Sequence, residues 1–224
     1  MNRNGDATKA GGKGRSGKIG LLGAIQMRRS IRAFSARPVP MEIQHSILEA
    51  ATLAPSPKNC QPWRFVVFDR SDAIHQVADT LEETISRQLE TKQCPNESIS
   101  HLEGAKITAE ILRKVPLLVF VCYHRVERDS NVSGLTWELT ARPFEVADLQ
   151  AIGAAIQNSL LQATHLGLGS LWLCDVLYAH DVIREKLSIP DPFIAAVAFG
   201  YVSVRGAVRK PLDEMVVRLS GVSW

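Results

Sequence analysis

The alternation of apolar and polar positions divides the chain into short, separate elements. Gly20–Arg29 reads as a short helix, and Ser35–Pro40 as a turn-rich connector holding two prolines. Glu42–Ala54 predicts an amphipathic helix with Ile43, Ile47, Leu48 and Ala51 on one face. Pro40 suits its start, and Pro55 and Pro57 bar its continuation. Arg64–Asp69 (RFVVFD) has the β-branched and aromatic content of a strand. Residues 72–92 read as a mostly exposed helix, Pro95–Ser100 as a loop and Glu103–Lys114 as another helix. Pro116–Tyr123 (PLLVFVCY) is a continuous apolar run, as expected of a buried strand. Arg125–Phe144 is polar and irregular, interrupted by Gly134 and Pro143; ordered loops of that length are often functional.

Glu145–Leu166 carries Val146, Leu149, Ile152, Ala155, Ile156, Leu160 and Leu161, with further alanines widening the face. A helix apolar on most sides is buried in a core or an interface. Gly167 and Gly169 are expected to end it. Ser170–Val176 predicts a short strand, Tyr178–Leu187 a helix and Phe193–Val204 a strand. No internal repeat is present. Interspersed strands and helices imply a layered α/β or α+β fold.

Composition narrows the class. The 224 residues are 46% hydrophobic and 22% charged, the proportions of an ordinary globular domain. The net charge of +3 is concentrated in residues 1–18, where five basic residues face Asp6 for a net of +4. The rest of the chain is therefore at −1, which argues against a nucleic-acid binder. Residues 1–18, rich in Gly, Lys and Ser, are expected to be a disordered basic tail, with one domain over 19–224. No apolar run reaches the ~18 residues of a membrane span, and no secretory or twin-arginine signal is convincing. Cys60, Cys94, Cys122 and Cys174 form no C-x-x-C pair, so reduced thiols in a cytoplasmic protein are expected. Two glycosylation triplets, at Asn96 and Asn131, mean little without a secretory signal.

Most chemical motifs fail. Gly12–Lys18 approaches a phosphate-binding loop, but Ile19 replaces the magnesium-holding hydroxyl and no strand precedes it. The histidines lack metal-ligand spacing. Two segments remain. Arg28-Arg29-Ser30-Ile31-Arg32-Ala33-Phe34 places three arginines and a hydroxyl at a predicted helix end. It reads either as a solvated basic terminus or as an anion site in which guanidinium forks meet a phosphate. Ala54–Trp63 (APSPKNCQPW) is a proline-stiffened loop offering Ser56, Asn59 and Gln61 to a flat heterocycle; a rigid turn would explain its prolines and Trp63 alone.

Together these segments resemble the FMN-dependent nitroreductase family. The resemblance adds Ile156-Gln157-Asn158, Leu166–Ser170 and the Gly200-Tyr201 to Arg209-Lys210-Pro211-Leu212 region, and covers about residues 22–220. It implies an α+β fold, a mixed or antiparallel sheet flanked by helices, in an interlocked homodimer with FMN at the interface. By resemblance Arg28 and Ser30 bind the FMN phosphate, with Arg209 reaching it from the C-terminal region; Arg29 belongs to the cofactor site, and Arg32 approaches the N1 and C2 carbonyl edge of the ring. Asn59 meets the pyrimidine edge, with Pro55, Ser56 and Gln61 close by. A backbone N–H near Cys174 or Asp175 reaches N5, Leu173 also belongs to the cofactor site, and Cys174 is expected to be an ordinary small buried residue. The implied activity is hydride transfer from NADH or NADPH through the flavin to a small-molecule acceptor such as a nitroaromatic or quinone. No catalytic side chain, metal, nucleic acid or membrane is required. Alternatives are a specialised flavin enzyme (a substrate dehydrogenase or oxidase, a reductive dehalogenase, a flavin-fragmenting enzyme) and a flavin-binding protein without turnover.

Overall fold

A computed structural model describes residues 20–91, 99–124 and 143–202. Its elements in chain order are α1 (Leu21–Met27), α2 (Met41–Thr52), β1 (Trp63–Phe68), α3 (Ser71–Glu90), α4 (Ile99–Leu112), β2 (Leu117–Tyr123), α5 (Pro143–His165), β3 (Gly169–Leu173), α6 (His180–Lys186) and β4 (Phe193–Gly200). Single 3-10 segments cover Pro57–Asn59 and Asp175–Ala179. Among the described residues four strands pair in the order β1-β2-β4-β3, each neighbour antiparallel, as the antiparallel form of the expected sheet requires. The fold is α+β.

The continuous apolar run of β2 reflects burial on both faces. Side chains alternate along a strand. Leu118, Phe120 and Cys122 therefore enter one core with α3, α4 and the Asp175–Ala179 turn. Leu117, Val119 and Val121 enter a second core with α2 and α5.

Several boundaries differ from the sequence reading. Helix α3 is not mostly exposed: Ile74, Val77, Ala78, Thr80, Leu81 and Ile85 form a fully buried stripe, diluted in sequence by the charged residues between them. Ile99 and Ser100, expected in a loop, already belong to α4. Residues 174–176 do not continue β3. The Leu177 N–H donates to the Cys174 carbonyl at 2.9 Å, which curls the chain into the 3-10 turn and delays α6 to His180. Gly167, with φ +80, supplies the left-handed closure of α5, whereas Gly169 has a packing role described below. The basic tail 1–18, the polar segment 125–142, residues 203–204 and Arg209 lie outside the described residues. Among the described residues no helix is long and apolar enough to cross a membrane.

Candidate functional site

The arginine segment begins where α1 ends. Residues 30–35 then lie along β3 and the end of β4. The Ile31 N–H donates to the Ser170 carbonyl and the Ser35 N–H to the Tyr201 carbonyl, both at 2.9 Å. Ser30 faces Ser170 in a parallel bridge. Ile31 and Phe34 turn into the core, while Ser30 and Arg32 are exposed and Arg28 is half-buried. Two glycines make this approach possible. A Cβ on Gly169 would stand 2.6 Å from Val202 and 2.7 Å from Ile31; one on Gly200 would stand 2.7 Å from Pro116 and 3.0 Å from Phe34. Arg29 is used differently from its neighbours. Its Nη1 donates to the Gln26 and Arg28 carbonyls at 2.6 and 2.9 Å, closing the end of α1.

The loop at 55–61 is built from its own polar groups. Lys58, Asn59 and Gln61 all take positive φ, at 51, 54 and 47°. Left-handed backbone is tolerated by Asn and uncommon for longer side chains, and such outliers gather at functional sites. Ser56 Oγ accepts the Gln61 N–H at 3.0 Å, and Gln61 Nε2 donates to Asn59 Oδ1 at 3.2 Å. Pro55, Asn59 and Gln61 are exposed.

Sequence reasoning missed the anchor of this loop. Asp148, 1% exposed on α5, accepts the Cys60 thiol on Oδ1 at 3.5 Å and the Tyr123 hydroxyl on Oδ2 at 3.2 Å. A lone acid on the inward side of an otherwise apolar helix was the available signal, since a buried carboxylate needs partners.

The third candidate stretch is the end of β3. Leu173 is buried and pairs with Ala196, but Cys174 is exposed, so the expectation of a small buried residue is corrected. The chain leaves the sheet at Leu173, and among the described residues no strand covers Cys174 beyond it. Desolvation and then the Asp175 carboxylate push the Cys174 thiol up, against a lowering by Trp172. Burial pushes Cys122 up to about 12, with Asp191 adding to the effect. Both are protonated thiols at neutral pH rather than thiolate nucleophiles.

These stretches are set out along the sheet. The Ser30–Ser170 bridge lies level with Phe199, and Leu173 lies level with Ala196. Ser170 and Cys174 are thus about 13 Å apart along the strand direction. The 55–61 loop is elsewhere. It packs on α5 at Asp148, whereas α1, leading into Arg28, packs on α5 beside Asn158, Leu161 and His165 around a groove of about 360 Å³. Asp148 and Asn158 are separated by about 15 Å of helix. Within one chain the arginine segment and the 55–61 loop are therefore held apart.

Of the two expectations for α5, burial in a core or in an interface, the structure shows the core. Ala151, Ile152, Ala155, Ile156, Leu160 and Ala163 of α5 are buried in the chain's own core, and Val146 and Leu149 are its exposed large apolar residues. The unpartnered face belongs to α1, with Leu21 71% exposed and Leu22, Ile25 and Met27 exposed beside it.

This architecture and these segments have counterparts in known proteins. Residues 25–201 match the nitroreductase family, and the chain belongs to that family of oxidoreductases. A protein of Methanothermobacter thermautotrophicus, provisionally named NADH dehydrogenase/NAD(P)H nitroreductase, is 28% identical over 210 residues, covering 92% of this chain and 90% of that protein. A BluB-like flavoprotein of Clostridium difficile superposes with a TM-score of 0.71 at 28% identity, covering 90% of this chain and all of that one. A nitroreductase of Desulfovibrio desulfuricans, also provisionally named and solved in complex with FMN, superposes at 0.64 with 28% identity, covering 90% and 98%.

Proposed function

We propose that the protein is an FMN-dependent NAD(P)H oxidoreductase working as a homodimer. Bound FMN would supply the redox chemistry, carrying hydride from NADH or NADPH to an organic acceptor such as a nitroaromatic or quinone. The observation that carries this reading is the side-chain alternation at 28–34. Ile31 and Phe34 lock the segment to the sheet, and Ser30 and Arg32 face outward beside half-buried Arg28. One further feature fits a phosphate there: Ser170 Oγ, buried next to Ser30, has no hydrogen-bond partner among the described residues.

In this reading Arg28 and Ser30 hold the phosphate by charge-assisted hydrogen bonds, with Arg209 reaching it from the C-terminal region. The end of β3 would meet the ring, with a backbone N–H near Cys174 or Asp175 as the donor toward N5. Arg32 lies at the ring edge that becomes negative on reduction, so its fixed charge favours the reduced state. Asn59, helped by Pro55, Ser56 and Gln61, meets the pyrimidine edge. That loop is remote from the arginine segment of its own chain, so a second copy supplies it, and the bare apolar face of α1 supports such an interface.

The purified protein should be yellow and release FMN, not FAD, on denaturation. Anaerobic NADH or NADPH should bleach it, and light scattering should report a dimer. A colourless protein that fails to take up added FMN overturns the reading. Bleaching by an organic donor but not by NAD(P)H would favour a substrate oxidase.

A further inference from the structure

The 3-10 turn Asp175–Ala179 follows directly on Cys174, where the chain leaves β3. Two contacts from distant helices grip it. Thr108 on α4 donates its hydroxyl to Asp175 Oδ2 at 2.5 Å, across a separation of 67 residues. Gln88 on α3 donates Nε2 to the Tyr178 carbonyl at 3.3 Å. Val176 and Ala179 are buried beneath the turn.

Thr108 is not explained by packing. It is 5% exposed on the face of α4 that also buries Leu102, Ala105, Ala109 and Leu112. A buried hydroxyl costs free energy unless it is bonded, and threonine is a poorer helix former than alanine. The Asp175 carboxylate is the partner that offsets this. Asp175 is half-buried at the first position of the turn. The pair joins α4 to the first residue after Cys174, and nothing in the sheet requires either side chain.

We propose that the Thr108–Asp175 hydrogen bond is a positioning contact: it fixes the 173–175 backbone that addresses the flavin, so that α4 tunes the cofactor. The proposal rests on the FMN reading given above. A backbone N–H aimed at N5 favours the oxidised ring, whose N5 accepts a hydrogen bond, over the reduced ring, whose N5 bears hydrogen. Only such a differential interaction shifts the redox equilibrium. Loosening the backbone raises the midpoint potential, yet slows hydride uptake, because the donor is no longer held in line. A change that merely increased driving force would speed uptake, so the opposed pair of effects is diagnostic of lost positioning. The Asp175 charge is kept in a Thr108→Val variant, so its potential reports position and not charge.

The test compares wild type, Thr108→Val and Thr108→Ser as full-length protein. Amide hydrogen exchange of residues 172–180 is followed without flavin, and midpoint potential and hydride uptake with FMN bound. Thr108→Val should exchange about tenfold faster in this segment, as expected for a lost hydrogen bond to a charged group. It should also show a raised potential and slower uptake, and Thr108→Ser should restore all three. If Thr108→Val fails to fold, Asp175→Asn, which keeps the shape and weakens the acceptor, takes its place in the exchange measurement. Wild-type potential and uptake in a variant with faster exchange would make the contact purely structural and overturn the proposal. Unchanged exchange overturns it too. A wild type that binds no FMN overturns the functional reading instead, and this inference with it.

Discussion

Residues 28–34 are held to the sheet by main-chain hydrogen bonds and two apolar side chains, whereas residues 55–61 hold themselves in shape with their polar ones. Both stretches look alike in sequence, as polar groups clustered near a helix end. In the first, the anchors are Ile31 and Phe34, and Ser30 and Arg32 face outward. In the second, Ser56 Oγ and Asn59 Oδ1 already brace a left-handed turn. A polar residue in a binding segment can therefore act as a ligand or as a brace, and the two roles respond differently to substitution.

The largest effect should come from the glycine beneath the first segment. In Gly169→Val the new side chain would meet Ile31 and Val202 well inside contact distance. Overpacking typically costs about 1–3 kcal/mol and occasionally more, and contacts this short place the variant at the upper end or beyond, before the loss of FMN affinity is added. Because Ile31 carries Ser30 and Arg32 on either side, FMN affinity should fall with stability. Urea unfolding and FMN titration measure both, and wild-type values for the pair would show that Gly169 does not set the segment.

Next in size are the outward arginines. Arg28→Ala should weaken FMN binding by roughly 1.5–3 kcal/mol, the range for a hydrogen bond to a charged group, and leave unfolding nearly unchanged. Arg32→Ala, saturated with FMN, should lower the midpoint potential and slow hydride uptake. Lysine there should restore part of the effect, returning the charge without the planar fork. An unchanged potential would remove Arg32 from the ring edge. Equal loss of stability and binding in Arg28→Ala would make the two regions alike after all.

The smallest effect belongs to the brace. Ser56→Ala removes the acceptor of the Gln61 N–H and should cost about 0.5–1.5 kcal/mol of stability. Hydrogen exchange at residues 57–61 should quicken. Loss of FMN affinity with wild-type exchange would mean that Ser56 is a ligand and not a brace.

The elements were largely legible because their signals are local. The unbroken apolar run of β2, the prolines around α2 and the glycine after α5 each depend on a few neighbouring residues. The misjudged places involve partners far along the chain. The buried stripe of α3 depends on α4 and α6 packing against it, and the end of β3 on a turn gripped by Thr108 and Gln88. Spacing along α5 can mark Asp148 as a buried acid but not as the loop's anchor, because Cys60 lies 88 residues away.

Sequence by itself determined the family, the layered fold and the two candidate segments, since residue type and short-range spacing carry that information. Tertiary structure decided which side chains face outward, that Arg29 closes a helix while Arg32 is exposed, and that the two segments of one chain stand apart. Those outcomes depend on which distant surface each residue packs against, and short-range spacing does not encode that.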